Sequence, residues 1–371
     1  MTSPLFAACR VAGRDLRNRV AMAPMTRSRA TADGTPTDLM AAYYAQRTEA
    51  GLIVSEATNI SAQGQGFPNI PGIFDRAHVA GWRRVTDSVH RHGSAFFLQL
   101  WHVGRISHPD NMMPGLHPVA PSAIAYERTV VTPKGLQPTP VPHPMTTAEI
   151  GRTVGEYGRA ARLAVEAGCD GIEIHAANGY LPSQFLHQTT NRRTDGYGGD
   201  RERRARFTVE IAEACVNAVG SDRVGIRMTP FSAFNGATST DERELYEFLI
   251  PTLAKLRLAY LHVVGAQVSG NQTVQPQDGE ELPDVLAFVR PLWPHALVAA
   301  GDYTLARADA DIRSGRADLI AFGRDFIGNP DLVTRLRDGH ALAPRDPTSW
   351  YGSGAQGYTD YPLWNGHEAT R

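Results

Sequence analysis

TTAEIGRTVGEYGRAARLAVEAGCDGIEIH, residues 146–175, contains a helix and a strand in one continuous unit. Thr146, followed three residues later by Glu149, is the pattern of a capping box, and apolar residues then recur at helical spacing. A glycine ends the periodic stretch, as is common after a helix. The apolar run 171–174 then predicts a strand buried on both faces. A helix leading into a buried strand is the repeating unit of parallel α/β folds.

The same kind of apolar run occurs seven more times, and each run ends in a loop. Eight strands alternating with helices predict one (β/α)8 TIM barrel over residues 1–364 and a C-terminal tail over 365–371. An open doubly wound sheet is the alternative, which eight units in one chain make less favoured. Ser239 with Glu242 predicts a second capping box. The seven further runs are residues 19–23, 51–55, 95–100, 224–226, 259–264, 297–300 and 319–322.

One long segment interrupts the alternation. Residues 102–146 follow the third strand and hold nine of the 25 prolines, with little helical periodicity. Proline removes a backbone donor and is excluded from helix interiors, so the segment is an irregular excursion. Because it leaves the carboxyl end of a barrel strand, where active sites lie, it is predicted to be a lid.

The composition excludes several classes of protein. Among 371 residues, 37 Lys and Arg balance 38 Asp and Glu, which gives no overall field for nucleic acid or an anionic membrane. No run approaches 18 apolar residues, and residues 1–10 lack the pattern of a signal peptide. The three cysteines form no CxxC pair. We expect a cytoplasmic monomer or homodimer with neither a nucleic-acid nor a membrane partner.

Two kinds of barrel chemistry are also disfavoured. A Schiff-base aldolase needs a lysine at a strand end, but Lys134 lies in the excursion and Lys255 on a helix. A metal-dependent hydrolase needs converging histidines and carboxylates, but His90 and His92 follow a helix and no HxH ends the first strand. The residues therefore predict no metal.

Residues 352–357 spell GxGxxG, the fingerprint of dinucleotide binding. That motif must follow a strand and open a helix within a βαβ unit. Only 14 residues follow Gly357, which is too few for such a unit. We interpret this segment as a flexible turn, so a nicotinamide nucleotide would bind without a Rossmann domain.

The predicted strand ends carry side chains suited to a flat heteroaromatic ligand with an anionic group. They offer amides and hydroxyls for a ring, two cations for an anion, and glycines where a backbone can approach closely. These residues are Thr26, Gln99, Trp101, His175, Arg227, Gly301, Gly323 and Arg324.

Six motifs in order resemble those of the old yellow enzymes, the FMN-containing ene-reductases, over about residues 5–364. The resemblance implies tightly bound, non-covalent FMN, with NADPH or NADH as the reductant. It also implies reduction of activated alkenes: enones, enals, maleimides and nitroalkenes. The motifs are RVAMAPMTRSR (19–29), QLWHVGR (99–105), EIHAANGY (173–180), NRRTDGYGG (191–199), FGRDFIGNP (322–330) and GYTDYP (357–362).

The resemblance implies a role for each catalytic position. His175 and Asn178 would donate hydrogen bonds to the substrate's carbonyl or nitro oxygen, and Tyr180 would protonate the α carbon. The walls of the substrate pocket would be Trp101, Phe67 and Tyr351.

It implies a cofactor site as well. Thr26 would donate to flavin O4, Gln99 would pair with the pyrimidine edge, and Arg227 would lie near N1 and O2. Gly301, Gly323 and Arg324 would hold the phosphate. The remaining implied cofactor-binding residues are Pro24, Met25, Ala57, Ala300 and Asp302.

The chain departs from the family pattern at the phosphate end. Asp302 replaces a common Asn, and its carboxylate is expected to turn away from the anion. Asp325 is expected to pair with Arg324, and residues 265–271 match the family poorly. Two other functions stay open: a flavin-binding redox sensor without turnover, and an FMN barrel reductase of the dienoyl-CoA reductase type.

Overall fold

The computed structural model describes residues 3–274 and 281–364, and a closed parallel sheet lies at its centre. The predicted tail, residues 365–371, lies outside the described residues. The short strand Thr58–Asn59 joins the sheet beside its third barrel strand. The barrel strands are β1 (Val20–Met22), β2 (Leu52–Val54), β3 (Ala95–Trp101), β4 (Gly171–His175), β5 (Val224–Met228), β6 (Tyr260–Val264), β7 (Leu297–Ala300) and β8 (Leu319–Phe322).

The strands follow one another around a ring in chain order. Every neighbouring pair is parallel; β8 pairs with β1, and β4 pairs with both β3 and β5. In this register, Ile172 lies opposite Leu98 on one side and Val224 on the other. An open sheet would have two unpaired edges, so the ring confirms the (β/α)8 barrel.

Both faces of the strands are buried, which explains the continuous apolar runs. Leu52 and Val298 belong to the cluster that fills the barrel. Their neighbours Ile53 and Ala299 belong to the larger cluster that includes the surrounding helices. Successive strand residues alternate between the two clusters because side chains of a strand point to opposite faces.

Ten α-helices accompany the strands in the described part of the chain. The catalytic motif ends at a short helix after β4, and the predicted phosphate loop opens another after β8. The helices are α1 (Asp38–Ala45), α2 (Arg76–His90), α3 (Thr147–Glu166), α4 (Leu181–Leu186), α5 (Arg201–Val219), α6 (Glu242–Ala254), α7 (Val285–Val289), α8 (Leu305–Arg313), α9 (Arg324–Gly328) and α10 (Leu332–Asp338).

The two predicted capping boxes had different outcomes. Thr146 caps α3 and exchanges hydrogen bonds with Glu149, as predicted. The box at Ser239 was wrong, because α6 begins after Asp241 and the Glu242 carboxylate instead accepts from Phe231 N–H at 2.8 Å. The Glu242 carboxylate therefore bonds to a backbone N–H of a loop and does not form the capping box that the sequence pattern predicted.

The proline-rich excursion contains short strands and no α-helix. Thr129–Thr132 and Gly135–Pro138 form an antiparallel hairpin, and Val131 on it lines a pocket that shares Trp101 and Tyr351 with the cavity described below. Closure of this segment as a lid stays a prediction.

No helix among the described residues is long and apolar enough to cross a membrane.

Candidate active site

The residues predicted from sequence all line one cavity at the carboxyl ends of the barrel strands. The cavity has a volume of about 350 Å³, within the range typical of small-molecule sites. The fold thus brings these residues together, whereas their individual roles stay predictions. They are Pro24, Met25, Thr26, Ala57, Phe67, Gln99, Trp101, His175, Asn178, Tyr180, Arg227, Ala300, Gly301, Asp302, Gly323, Arg324 and Tyr351.

His175 ends β4 and presents a hydrogen-bond donor to this cavity. Its Nδ1 accepts from the backbone N–H of Ala177 at 3.3 Å. Burial, together with the nearby charges of Arg227 and His262, lowers the pKa of His175 well below its usual value. A neutral imidazole whose Nδ1 accepts must carry its proton on Nε2. The Nε2–H group is therefore available to a ligand oxygen.

Asn178 is held in an unusual backbone conformation. Its φ of 58° lies in the left-handed region, which asparagine tolerates better than most residues. Its N–H donates to Thr229 Oγ1 at 2.9 Å, and its carbonyl accepts from Asn235 Nδ2 at 2.8 Å. At the next residue, Gly179, a Cβ would come within 2.7 Å of the Phe234 carbonyl oxygen. These contacts fix the backbone from which the Asn178 amide extends.

Tyr180 completes the predicted catalytic set and lies among aromatic rings. Its ring makes edge contacts with His175 at 5.1 Å and Trp101 at 4.8 Å, and Phe67 stacks on Trp101 at 5.9 Å. Tyr351, with 53% of its surface exposed, borders the opening. Burial raises the pKa of Tyr180 above its usual value of 10. The phenol therefore keeps its proton at neutral pH.

A buried carboxylate orients the amide of Gln99. Glu173 accepts from Gln99 Nε2 at 2.7 Å and pairs with His262 Nδ1 at 2.8 Å. Burial alone would raise the pKa of Glu173, but His262, Arg227 and Gln99 together lower it, so the group is ionised. This bond uses one of the two Nε2–H groups and fixes the plane of the amide, so the Gln99 oxygen is oriented to accept from a ligand. That acceptor suits the N3–H of a flavin.

Arg227 lies opposite His175 in the register of β4 and β5. Within residues 3–274 and 281–364, its buried Nε has no hydrogen-bond partner. Burial lowers the pKa of Arg227, but an arginine remains charged at neutral pH. A buried N–H without an acceptor is costly, so this guanidinium fits an electron-rich ligand edge such as N1 and O2 of the flavin ring.

The backbone after Thr26 is fixed by a second buried carboxylate. Glu56 Oε2 accepts from the N–H groups of Arg27 at 3.1 Å and Ser28 at 3.3 Å. Burial raises the pKa of Glu56 to about 7 despite those two hydrogen bonds. The position of Thr26 at the cavity therefore depends on a carboxylate that is itself shielded from solvent.

Arg27 connects this loop to the segment that carries Tyr351. Its guanidinium donates to the carbonyl oxygens of Trp350 at 2.8 Å and Gly357 at 2.6 Å. Residues 352–357 form turns and bends, and no helix follows them up to residue 364. The interpretation of GxGxxG as a turn is confirmed, and its backbone carbonyls serve as anchors for arginine.

Glycine is required at one of the two predicted phosphate-loop positions. Gly301 has a φ of 140°, and a Cβ there would lie 2.7 Å from Gln267 Nε2. That amide also donates to the Gly301 carbonyl oxygen. Gly323 precedes α9 and borders the same cavity, where a Cβ would meet only ordinary contacts. The backbone is therefore open to a group at this end of the cavity.

The charged residues at this end are paired differently from the expectation. Asp302 does not turn away, because its carboxylate lies 2.9 Å from Arg324 Nη2 and accepts from Thr273 Oγ1 at 2.8 Å. Asp325 pairs with Arg345 at 2.8 Å, so its predicted partnership with Arg324 was wrong. Sequence reasoning missed Arg345 because it lies 20 positions beyond Asp325, with a whole helix between them.

Several positioning residues were also missed. Glu173 and His262 could have been found from the sequence, because each interrupts an apolar strand. A charged or polar side chain buried in such a strand needs a hydrogen-bond or ion-pair partner. Thr229 and Asn235 carry none, because each lies in a loop whose path only the folded chain defines. Within the described ranges, no group of three or more His, Cys, Asp or Glu side chains could hold a metal ion.

Comparison with known proteins identifies the class. The NADH:flavin oxidoreductase / NADH oxidase family model matches residues 4–343. A probable flavin mononucleotide-dependent alkene reductase of Leishmania infantum is 38% identical, over 98% of this chain and 97% of its own length.

Solved structures agree. Morphinone reductase superposes with a TM-score of 0.91 at 42% identity, covering 100% of this chain and 99% of that one. The old yellow enzyme homologue from Zymomonas mobilis superposes with a TM-score of 0.91 at 40% identity, covering 97% and 99%. Morphinone reductase has also been solved with tetrahydroNAD.

The barrel and its cavity define an FMN-dependent oxidoreductase that takes electrons from a nicotinamide nucleotide. The chain belongs to the NADH:flavin oxidoreductase / NADH oxidase family, which includes the old yellow enzymes. The resemblance inferred from the six motifs is confirmed, and with it the ene-reductase class and the FMN cofactor.

Proposed function

We propose that the protein reduces the activated C=C bond of enones, enals, maleimides and nitroalkenes with NADPH or NADH. The observation that carries the proposal is the arrangement of three donors at one cavity: a neutral His175, an Asn178 with a fixed backbone, and a protonated Tyr180. A conjugated carbonyl or nitro oxygen requires hydrogen-bond donors, which His175 and Asn178 provide. The α carbon of the alkene requires a proton donor, which Tyr180 provides.

His175 and Asn178 would bind the substrate oxygen. Donors aimed at an oxygen that gains negative charge stabilise the transition state more than the ground state. Because the Nδ1 of His175 is occupied by Ala177 N–H, only Nε2–H can donate into the cavity. Polarisation of the oxygen makes the β carbon of the alkene electrophilic.

Tyr180 would supply the proton to the α carbon. Its phenol lies against the His175 ring, so the proton donor and the oxygen-binding donor occupy the same part of the cavity. A raised pKa keeps the proton in place until a strongly basic carbon forms beside it.

The flavin would be held by the residues already described. When bound, FMN supplies the N5 position that accepts a hydride from the nucleotide and delivers it to the alkene. Gln99 and Arg227 would bind the pyrimidine edge, and Thr26 would donate to O4. The phosphate would lie at Gly301, Gly323 and Arg324, with Asp302 contributing only its backbone. Pro24, Met25, Ala57 and Ala300 would contact the flavin, and Trp101, Phe67 and Tyr351 the substrate.

The test is a visible spectrum of the purified protein under anaerobic conditions. We expect a flavin band that bleaches with NADPH or NADH and returns when 2-cyclohexenone is added. Bleaching without reoxidation by the enone or by other activated alkenes would favour the redox sensor without turnover. Reoxidation by a dienoyl-CoA alone would favour the alternative reductase.

Three expectations remain predictions from the sequence. They are the cytoplasmic location, the lack of a nucleic-acid partner, and a monomeric or homodimeric state.

A further inference from the structure

Two arginines and two aspartates form one ion-pair network at the end of the cavity nearest Gly301 and Gly323. Arg345 Nη2 lies 3.0 Å from Asp302 Oδ1, and its Nε lies 2.8 Å from Asp325 Oδ1. Asp302 Oδ1 is shared, because it also lies 2.9 Å from Arg324. These four side chains, the charge cluster, are the only charged residues that line the cavity in this neighbourhood of the described chain.

The four members come from three separate loops. Asp302 lies after β7 and has a left-handed φ of 53°. Arg324 and Asp325 open α9 after β8. Arg345 lies in the segment that follows α10. The barrel therefore assembles the cluster, although no local sequence pattern encodes it.

The charges of the cluster cancel. Two guanidinium groups and two carboxylates sum to zero, whereas a phosphate monoester carries nearly two negative charges at neutral pH. Without Arg345, one arginine would face two carboxylates, and the net charge beside the phosphate would be −1. Partial burial would raise the pKa of Asp302, but Thr273, Arg324 and Arg345 together lower it, so its carboxylate stays charged.

We propose that Arg345 is a second cation of the FMN phosphate site, which neutralises Asp302 and Asp325 so that the charge of Arg324 acts on the phosphate. The inference rests on the placement of the phosphate given under the proposed function. Side-chain exposures of 36% for Arg345 and 17% for Arg324 leave both guanidinium groups accessible from the cavity. Arg345 thus compensates for the carboxylate that this chain carries at residue 302.

The experiment compares FMN with riboflavin, which lacks the phosphate. The full-length protein is freed of flavin and titrated with each ligand, and quenching of flavin fluorescence gives the Kd. For Arg345→Gln we expect the Kd for FMN to rise about tenfold and the Kd for riboflavin to stay within twofold. Arg345→Lys should retain most of the preference for FMN because it keeps the charge.

Two further variants sharpen the result. Adding Asp302→Asn to Arg345→Gln should restore the FMN affinity, since asparagine tolerates the left-handed backbone and removes one negative charge. Arg337→Gln on α10, an exposed arginine paired with Asp338 outside the cavity, is the matched control and should change neither Kd.

The outcomes separate this inference from the placement on which it rests. If Arg324→Gln weakens FMN selectively but Arg345→Gln affects both flavins equally or neither, the role of Arg345 is wrong. If Arg324→Gln does not discriminate FMN from riboflavin either, the placement of the phosphate is wrong, and the inference fails with it.

Discussion

The two ends of the flavin cavity are held in place by different means. At the catalytic end, which comprises His175, Asn178 and Tyr180, backbone hydrogen bonds and buried rings fix the functional groups. At the end proposed to bind the phosphate, called the phosphate end below, partly exposed side chains of opposite charge pair with one another. The first arrangement depends on orientation, and the second depends on the balance of charge.

This difference predicts separable effects of mutation. A substitution at the catalytic end should change the rate of alkene reduction while the protein still binds flavin. A substitution at the phosphate end should change flavin affinity, in a manner that depends on salt because exposed charges are screened. The predictions below test the catalytic end and the loop that carries Thr26, beginning with the largest expected effect.

Removing both oxygen-binding donors should have the largest effect. For His175→Ala combined with Asn178→Gly, which preserves the left-handed backbone, we expect reoxidation of reduced flavin by 2-cyclohexenone to slow at least about 10³-fold. Anaerobic stopped-flow absorbance measures that rate. Flavin content should match that of the parent protein. A rate within tenfold of the parent would show that the substrate oxygen binds elsewhere.

Tyr180→Phe should separate the two half-reactions. We expect reoxidation by the enone to slow about 10²-fold, because a positioned acid is lost while the ring contacts remain. Flavin reduction by NADPH or NADH needs no proton from Tyr180 and should stay within about twofold. Tyr197→Phe, whose hydroxyl donates to Glu210 at 2.9 Å outside the cavity, is the control and should leave both rates unchanged. Equal losses in the two half-reactions would refute the role of proton donor.

Glu56, which holds the backbone after Thr26, should make the stability of the protein depend on pH. Its folded-state pKa of about 7 lies above its usual value of 4.5, so the folded protein binds this proton more tightly than the unfolded chain. The stabilisation is complete below about pH 4.5 and is lost as the pH rises through 7. Between pH 5 and 8 the loss is about 2 to 3 kcal/mol.

Glu56→Gln removes this titration and keeps an oxygen for the N–H groups of Arg27 and Ser28. We expect the thermal midpoint of the variant to decline less between pH 5 and 8 than that of the parent. Some decline should persist, because burial also raises the pKa of Glu242 to about 7. Glu213→Gln on the exposed face of α5 is the control. Equal slopes for Glu56→Gln and the parent would contradict the buried titration.

The sequence indicated the catalytic end more completely than the phosphate end. His175 and Tyr180 lie within one short motif, residues 173–180, so their relative positions follow from the local path of the chain. The fold adds only the position of that strand within the barrel. The pairing of Asp302, Asp325 and Arg345 depends on where three loops meet, and the nearest charge along the chain was the wrong partner. Glu242 shows the same limit, because its carboxylate bonded to Phe231 across a loop rather than to the predicted cap.

The smallest expected effect concerns Thr26, whose hydroxyl would donate to flavin O4. Thr26→Val keeps the shape of the side chain and removes the donor. A hydrogen bond that strengthens as O4 gains electron density stabilises the reduced flavin by about 1 kcal/mol, which for two electrons corresponds to about 20 mV. We therefore expect the midpoint potential to fall by that amount, measured by equilibration with a reference dye. An unchanged potential would show that Thr26 lines the ring without donating to O4. The backbone that Glu56 holds after Thr26 would then contribute to packing and not to the redox potential of the flavin.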